Sequence, residues 1–600
     1  SYSCNDETGF CELQPLSAEV GSPQNICLLT CKGTIWPAPK EINIAHETTA
    51  FCDVSFTGFP ASDVMSSAAD NFLHSIDMKD GCSDPQKKLN IVLDVSMDLS
   101  PQFYHMTLDT DESYELTTKA SSQGVQAIIA ARSFFGCRHA LETLSQLIST
   151  DGYGQSRNQS ALHVVASNAR IADKPSYPYR GVLLDLSRHY LSVSKIESVI
   201  RGMGYNKLNR LHLHLTDTAS FPLDMEDLRD MARYGAYGDD MQYDRTVIDH
   251  LTKFAKVHGV TIVPEIDTPS HVNEGWQWGA LEGKGDFAIC TTNWTVTALE
   301  PPGGHLNIAN ENVYPVLQSI YEFVISSFHF PDLFHIGGDE TYAACWNSSL
   351  YGTDILNKLT ELGLPREDKE SFYSLWHTFT HRAAAMISSY YEESQRNNKI
   401  IIWGGNAEPD ESVTYNMVAR PDVVEELPPS DYIMQIWDDS SDSIAPSLLE
   451  KGYEVILANY DYVYLDCGQQ GYTNAGGYWC NPYHEWFHIY QYMADMQQKW
   501  DLPQPTDRHS SDGRIIGSEV LLWGEENGNE TVEKKIWPRG AALAEALWSN
   551  PQEGWYAADP RMQLWRNKMV SRGVSAEELQ PLWCAQNGPY SCTIDMGVPQ

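Results

Sequence analysis

Two adjacent carboxylates, Asp339 and Glu340, close the stretch LFHIGGDE at residues 333–340. Carboxyl groups crowded together do not both ionise readily, so one has its pKa raised and the pair offers an acid and an anion at the same pH. Such a pair can do general acid and base chemistry. The apolar residues before it read as a buried strand, and the two glycines let backbone or ligand approach closely at its end. Taken alone, the segment fits a catalytic acid pair and a plain acidic loop after a strand equally well.

Seven other segments share this build: GVLLDLS, NRLHLHLTD, VTIVPEID, KIIIWGG, YIMQIWD, YEVILANY and IIGSEVLLWGE. Helical text separates several of them, such as SVSKIESVIRGMGYNK after the first and DRTVIDHLTKFAKVHG before the third. Short apolar strands alternating with helices indicate βα units on a parallel sheet. Eight strands close a barrel, so the expected fold is α/β, a (β/α)8 TIM barrel. Nearly every strand finishes in residues able to bind or react: Arg188, Asp217, Asp267 with His271, the acid pair, Trp403, Trp437, Tyr464 with Asp466, and Trp523 with Glu525. Active sites of this fold lie at the C-terminal mouth. A structural role would scatter these residue types over both ends, so their concentration at one end reads as an enzyme.

Ahead of the barrel, LNIVLDVSM, ESYELTT and QAIIAA read as strands and a run from about Ser133 to Ile148 as an amphipathic helix, giving a small α+β domain. The Pro-punctuated IADKPSYPYR marks a linker. The expected division is a disulfide-stapled arm at 1–50, the α+β domain at 51–175, and the barrel with a C-terminal extension at 176–600.

Asp and Glu number 80 against 41 Lys and Arg, a formal net charge of -39, which repels nucleic acid and anionic membrane surfaces. No apolar run approaches the roughly 20 residues needed to span a bilayer. The opening SYSCNDETGF has no charged and apolar leader, so the chain is either cytosolic or has lost a signal peptide. Cysteines favour the second reading. Cys4, Cys11, Cys27 and Cys31 crowd the beginning, and Cys467 with Cys480 and Cys584 with Cys592 form close pairs in turn-rich sequence. CxxC pairs with partner histidines are lacking there, so disulfides in a secreted or lysosomal protein are expected rather than metal. Sequons at Asn158, Asn293, Asn347 and Asn529 agree with a glycoprotein. The count of 13 cysteines is odd, and Cys137, in the helical run, is expected to be a buried free thiol. No cofactor and no metal are expected, and the sequence leaves a homodimer open.

GVLLDLSRHYL, LHLHLTDTASFP, PEIDTPSH and HIGGDE resemble, in order and spacing, the family 20 glycoside hydrolases, the β-N-acetylhexosaminidases. The resemblance covers the expected barrel almost end to end and extends to the preceding domain. The N-terminal cysteines and YLDCGQQGYTNAGGYWCNPYHEW look most like the arthropod chitin-degrading branch. The residues also suit the chemistry. Glycosidic cleavage passes through an oxocarbenium-like state that needs a proton for the leaving oxygen and negative charge or a nucleophile at the sugar carbon. The resemblance implies that the nucleophile is the substrate's own acetamido oxygen, with Glu340 as general acid and then base. Asp339 would orient the acetamide, and Tyr464 would hold its oxygen. It further implies that Arg188, Asp466 and Glu525 bind hydroxyls of the terminal sugar, with Asp217 and His271 in support. Trp403, Trp437 and Trp523 would wall the pocket. Trp479, in a loop expected to be pinned by Cys467–Cys480, would stack on a second sugar with Glu300 as its polar partner. That branch has a valine and a cysteine where this chain has Leu299 and Gly303, so the Glu300 loop is expected to differ in shape.

The expected activity is removal of terminal β-linked N-acetylglucosamine from chitooligosaccharides. A broader hexosaminidase acting on N-glycans or glycolipids is the alternative, and a silent sugar-binding barrel a weaker one, since binding alone needs no proton donor. HEWFH at 484–488 matches the H-E-x-x-H zinc signature but leaves the acid pair unexplained. His212 and His214 alternate on a strand and are expected to be packed or hydrogen-bonded rather than metal ligands.

Overall fold

A computed structural model describes residues 2–5, 7, 9–15, 24–31, 34–78, 87–94, 101–150, 163–405, 416–419, 422, 424–473, 478–502, 505, 513–587 and 590–594. The sequon at Asn158 lies outside them. At the N-terminus an antiparallel pair, Tyr2–Asn5 with Phe10–Leu13, meets the helix Gln24–Thr30. Cys4–Cys31 and Cys11–Cys27 bridge these pieces, and the cysteines form a small core of their own. The arm is too short to bury much else, and disulfides supply what a hydrophobic core would.

The α+β unit is a six-stranded mixed sheet in the order Glu41–Ile44, Asn168–Asp173, Tyr114–Ser121, Gly124–Ala131, Lys88–Leu93, Asp53–Thr57. It therefore starts before residue 51, taking in a strand from the expected arm. Along Lys88–Leu93 burial alternates, with Leu89, Ile91 and Leu93 inside, so one face is covered and the other is not. The helix Phe134–Gln146, capped by Ser133 Oγ accepting from the Gly136 N–H, is buried along its whole length. It contacts the sheet on one side and the barrel on the other. Arg138 donates to the Gly204 carbonyl, and His139 packs edge-on to Trp548. Cys137 lies within it as a free thiol, pushed up to about 12 by burial.

Eight parallel strands close the barrel in sequence order: β1 (Tyr179–Asp185), β2 (Arg210–His214), β3 (Thr261–Glu265), β4 (Leu333–His335), β5 (Lys399–Gly404), β6 (Tyr432–Ile436), β7 (Glu454–Leu457) and β8 (Arg514–Leu522). These are the eight expected segments. Helices α1 (Val193–Tyr205), α2 (Arg245–Val257), α3 (Val313–Ser327), α4 (Lys369–Glu393), α5 (Ile444–Glu450), α6 (Trp486–Lys499) and α7 (Arg539–Ser549) surround them. Between β5 and β6 the described residues contain only the turn Val424–Glu426 and the short strand Asn416–Met417 in place of an α-helix. That strand pairs antiparallel with Thr341–Tyr342, directly after the acid pair.

The barrel interior is layered. Tyr179, Val263, Leu333, Ile401, Ile433, Ile456 and Ile516 form an apolar floor towards the strand beginnings. Above it sit fully buried polar groups, His212, Glu265, His335, Gln435 and Glu519, with Trp403 among them. The mouth lies above these.

Candidate active site

β4 stops at His335, and the acid pair follows on a loop rather than on the strand itself. Gly337 (φ 69) and Gly338 (φ 94) have left-handed backbones, and a Cβ on Gly337 would lie 1.7 Å from Asp267 Oδ1. No other residue type fits Gly337. The Gly338 N–H donates to the same Asp267 oxygen at 3.1 Å, and Ser270 Oγ donates to the Asp339 carbonyl. Thus the loop after β3 holds the loop after β4. Glu340 is itself left-handed (φ 47), as is His271 (φ 58), the residue opposite. Such conformations cost energy for non-glycine residues and persist where the surroundings over-determine them.

His271 is the hub. Its Nε2 lies 3.3 Å from Glu340 Oε2 and 3.8 Å from Asp339 Oδ2, while Nδ1 is 3.3 Å from Asp217 Oδ1. Burial disfavours the imidazolium, but Asp217 and Asp267 overcome this and hold His271 well above its usual range. Burial also opposes ionisation of Asp217; Arg188, at 2.9 Å, and His271 outweigh it and hold that carboxyl well below the usual range. Asp339 is raised to about 7, by burial first and by the Glu340 charge in addition, with His271 opposing. Asp267 is raised as well, by burial and by Asp339. Asp339, the residue expected to act as the anion, is therefore raised in the ligand-free site.

One cavity is lined by Arg188, Asp217, His271, Glu300, Asp339, Glu340, Trp437, Tyr464, Trp479, Trp523 and Glu525, all expected at the site, together with His214, Asp267 and Tyr478. Trp437 and Trp523 each stand one residue beyond the end of their strands. The Tyr464 and Trp523 rings meet edge-on at 6.0 Å, and Arg188 stacks on Trp523 at 5.4 Å. Among the described residues, Asp339 Oδ1, Glu525 Oε2 and the Trp437 indole N–H are buried without a hydrogen-bond partner. Unpaired buried groups are costly and are the atoms a polar ligand would satisfy.

Two expected residues lie elsewhere. Trp403 is 1% exposed and is not among the lining residues; its indole donates to Glu265 Oε1 at 2.7 Å, and its ring lies 6.0 Å from that of Trp523. It falls inside β5, so it points into the barrel one layer lower than a residue after a strand end. Asp466 is fully buried, not in the cavity wall, and burial lifts it to about 6. Cys467–Cys480 closes a loop that presents Tyr472, Tyr478 and Trp479, the last 59% exposed and 4.9 Å from the Tyr460 ring. Glu300 is not free to serve Trp479 alone. One oxygen pairs with Arg188 Nη2, and the other accepts from Tyr472 Oη at 3.0 Å. Cys290–Cys345 ties the Glu300 loop to the helix after the acid pair. Asp267 is expected at the mouth, at the end of the PEID run, though without a sugar-binding role; of the two lining residues not expected there, His214 ends the LHLH run, a signal visible in sequence, and Tyr478 had only its neighbour Trp479 to mark it.

HEWFH does not form a zinc helix. α6 begins at Trp486, so His484 precedes it, with Nε2 on the Tyr460 carbonyl at 2.9 Å and His488 against the Tyr462 ring.

A family model described as "Glycosyl hydrolase family 20, catalytic domain" matches residues 177–551, and one described as "beta-acetyl hexosaminidase like" matches residues 35–147. The chain is 33% identical over 608 residues to a chitooligosaccharidolytic beta-N-acetylglucosaminidase of Ostrinia furnacalis, covering 98% of this chain and 95% of that one. It is 34% identical over 574 residues to a protein of the same name from Bombyx mori, covering 94% and 90%. Among solved structures, an exo beta-N-acetylglucosaminidase from Vibrio harveyi, in complex with N-acetylglucosamine, superposes with a TM-score of 0.67 at 21% identity, covering 94% of this chain and 81% of that one.

Proposed function

The chain belongs to glycosyl hydrolase family 20 and is a glycoside hydrolase, and from that premise we propose that it is an exo-acting, retaining β-N-acetylhexosaminidase releasing terminal N-acetylglucosamine from chitooligosaccharides. Glu340 protonates the leaving oxygen. The substrate's acetamido oxygen attacks its own anomeric carbon from the opposite face, giving an oxazolinium ion and no covalent enzyme intermediate. Water, deprotonated by Glu340, then opens the ring with overall retention. Asp339 accepts the acetamide N–H and stabilises the positive charge that grows there, while Tyr464 donates to the acetamido oxygen. Asp339 is raised towards 7, and hydrogen bonding to a carboxylate favours its charged form, so a bound acetamide would itself promote the anion. Arg188 and Glu525 read the sugar hydroxyls, Asp217 and His271 set the charge of the acid pair, and Trp437 and Trp523 enclose the ring. The compartment that suits five described disulfides is extracellular or lysosomal.

The observation that carries this reading is the convergence of adjacent carboxylates, a cationic His271 and Tyr464 on one cavity. The chitooligosaccharide preference draws on the names of the two insect relatives and on exposed Trp479, which suits a linear chain. Hydrolysis of a chromogenic N-acetylglucosaminide, lost in Glu340→Gln with binding retained, tests the chemistry; an inactive wild-type protein sinks it. Rates on chitotriose, a branched N-glycan and an aryl galactosaminide, measured side by side, test the preference.

A further inference from the structure

We propose that Glu300 is a specificity-determining residue of the terminal-sugar pocket, holding Arg188 in competition with the sugar's hydroxyls, and not a member of an acceptor site. This rests on the hexosaminidase reading above. Arg188 is committed on one side: Nη1 lies 2.9 Å from Asp217 and 3.2 Å from Asp185, and the guanidinium lies over Trp523. Nη2 is the arm left to recognise a ligand, and the Glu300 carboxylate takes it. Glu300 also reaches well inside. Its carboxylate and the nearest ligand atoms of Asp217 and His271 all lie within 4.8 Å of one another. Tyr472, 39% exposed at the rim, pins the second oxygen. The cavity that remains is about 80 Å³, against the ~300–1,000 Å³ usual for small-molecule sites. A pyranose seated on Trp523 and bonded to Arg188 therefore has to displace Glu300. Trp479, which lines the same cavity, packs against Tyr460 and Tyr464.

The consequence for selectivity is direct. A ligand opens the pocket only if its hydroxyls replace a charged partner of Arg188, so binding is taxed by the fraction of protein in which Glu300 has let go. Glu300→Ala and Glu300→Gln remove the competitor, and Tyr472→Phe loosens it.

Binding of N-acetylglucosamine, followed by tryptophan fluorescence, and KM for an aryl N-acetylglucosaminide and for chitotriose are measured on wild type and all three variants. Both Glu300 variants are expected to lower Kd roughly three- to tenfold and to lower both KM values in parallel, with Tyr472→Phe shifting them less in the same direction. A raised Kd would make Glu300 a sugar ligand, and a change confined to chitotriose would make it an acceptor residue; either overturns the proposal, as does no change. Tyr472→Phe, a conservative change at an exposed ring, supplies the readout if a Glu300 variant does not fold. A wild-type protein that neither binds N-acetylglucosamine nor cleaves the aryl glycoside overturns the hexosaminidase reading and this inference with it.

Discussion

Asp339→Asn should stabilise the protein while disabling it, and only above a definable pH. The Asp339 carboxyl is raised from 3.8 to about 7, chiefly by burial. At 1.36 kcal/mol per pKa unit, ionising it in the folded state costs about 4 kcal/mol more than ionising it in the unfolded chain. The folded pKa lies above the unfolded one. Stability from the bound proton is therefore complete below about pH 4, is lost as pH climbs, and levels off once pH passes about 7. Asparagine imitates the neutral carboxyl at every pH. Variant and wild type should accordingly melt together near pH 4 and diverge towards pH 8. Unfolding entropy of ~2.1 cal/mol/K per residue over residues 177–551 gives ~0.8 kcal/mol/K, hence a plateau shift of ~5 °C in favour of the variant. Relief of Asp267, which Asp339 also raises, adds in the same direction. Thermal melts at matched scan rates across that range, with aryl N-acetylglucosaminide turnover in parallel, provide the check. Turnover should fall ~10²–10³-fold, as when a group that stabilises transition-state charge is removed. Melting curves that stay parallel at all pH values, or a variant less stable than wild type at pH 8, would refute the argument.

Three further outcomes are expected. In the proposed mechanism Asp339 works as the anion; with its proton leaving at about 7 before substrate binds, kcat/KM should fall on the acid side of that value, and the acid limb of kcat should lie lower, since the acetamide N–H would favour the anion; full pH profiles of the two parameters separate them. Trp479→Ala should cut kcat/KM on chitotriose by roughly tenfold and on a small aryl glycoside far less, if the exposed ring stacks on a second sugar as proposed; equal losses would remove Trp479 from the acceptor site. Gly337→Ala should cost ~2–4 kcal/mol and displace the acid loop, as its Cβ collides with Asp267, whereas Gly363→Ala, with a similar φ of 71 but open space around it, should cost only ~1 kcal/mol; melting temperatures and turnover of the pair report the difference.

The barrel was legible because each strand is a short apolar run ending in a polar or aromatic residue, and that pattern survives without knowledge of any contact. The acid pair was legible for the same reason. Depth was harder to read. Trp403, Trp437 and Trp523 look alike in sequence, yet Trp403 precedes the last residue of β5 and turns into the barrel, while the other two follow their strands and face the cavity. Long-range pairing was not legible at all. Cys290 and Cys345 are 55 residues apart, and nothing local couples them. Glu300 has no sequence signal for its ion pair with Arg188, 112 residues away. Adjacency of Asp339 and Glu340 announced a raised carboxyl, but the rise of Asp339 is set first by burial and opposed by a histidine from a different βα loop, neither of which is written locally.

That histidine is the top of a column of alternating charge rising from the barrel floor. Glu519 accepts from Tyr179 and Gln435 and meets His212 at 2.9 Å; His212 reaches Glu265 at 2.9 Å, Glu265 reaches His214 at 2.7 Å, and His214 reaches Asp217 at 2.8 Å. Burial opposes the His212 imidazolium, but Glu519 and Glu265 lift it to about 9, and His214 is held well above its usual range by Glu265 and Asp217 against the same burial cost. A buried ion survives only beside its opposite, so each sign fixes the next. Asp217 ends the column as an anion, and an anion there calls for cations above it, which Arg188 and His271 supply. The proton on His271 thus follows from groups along the barrel axis, and it is this proton that opposes the rise of Asp339. The acid pair is set by the stacked interior of the barrel as much as by the repulsion between its two members.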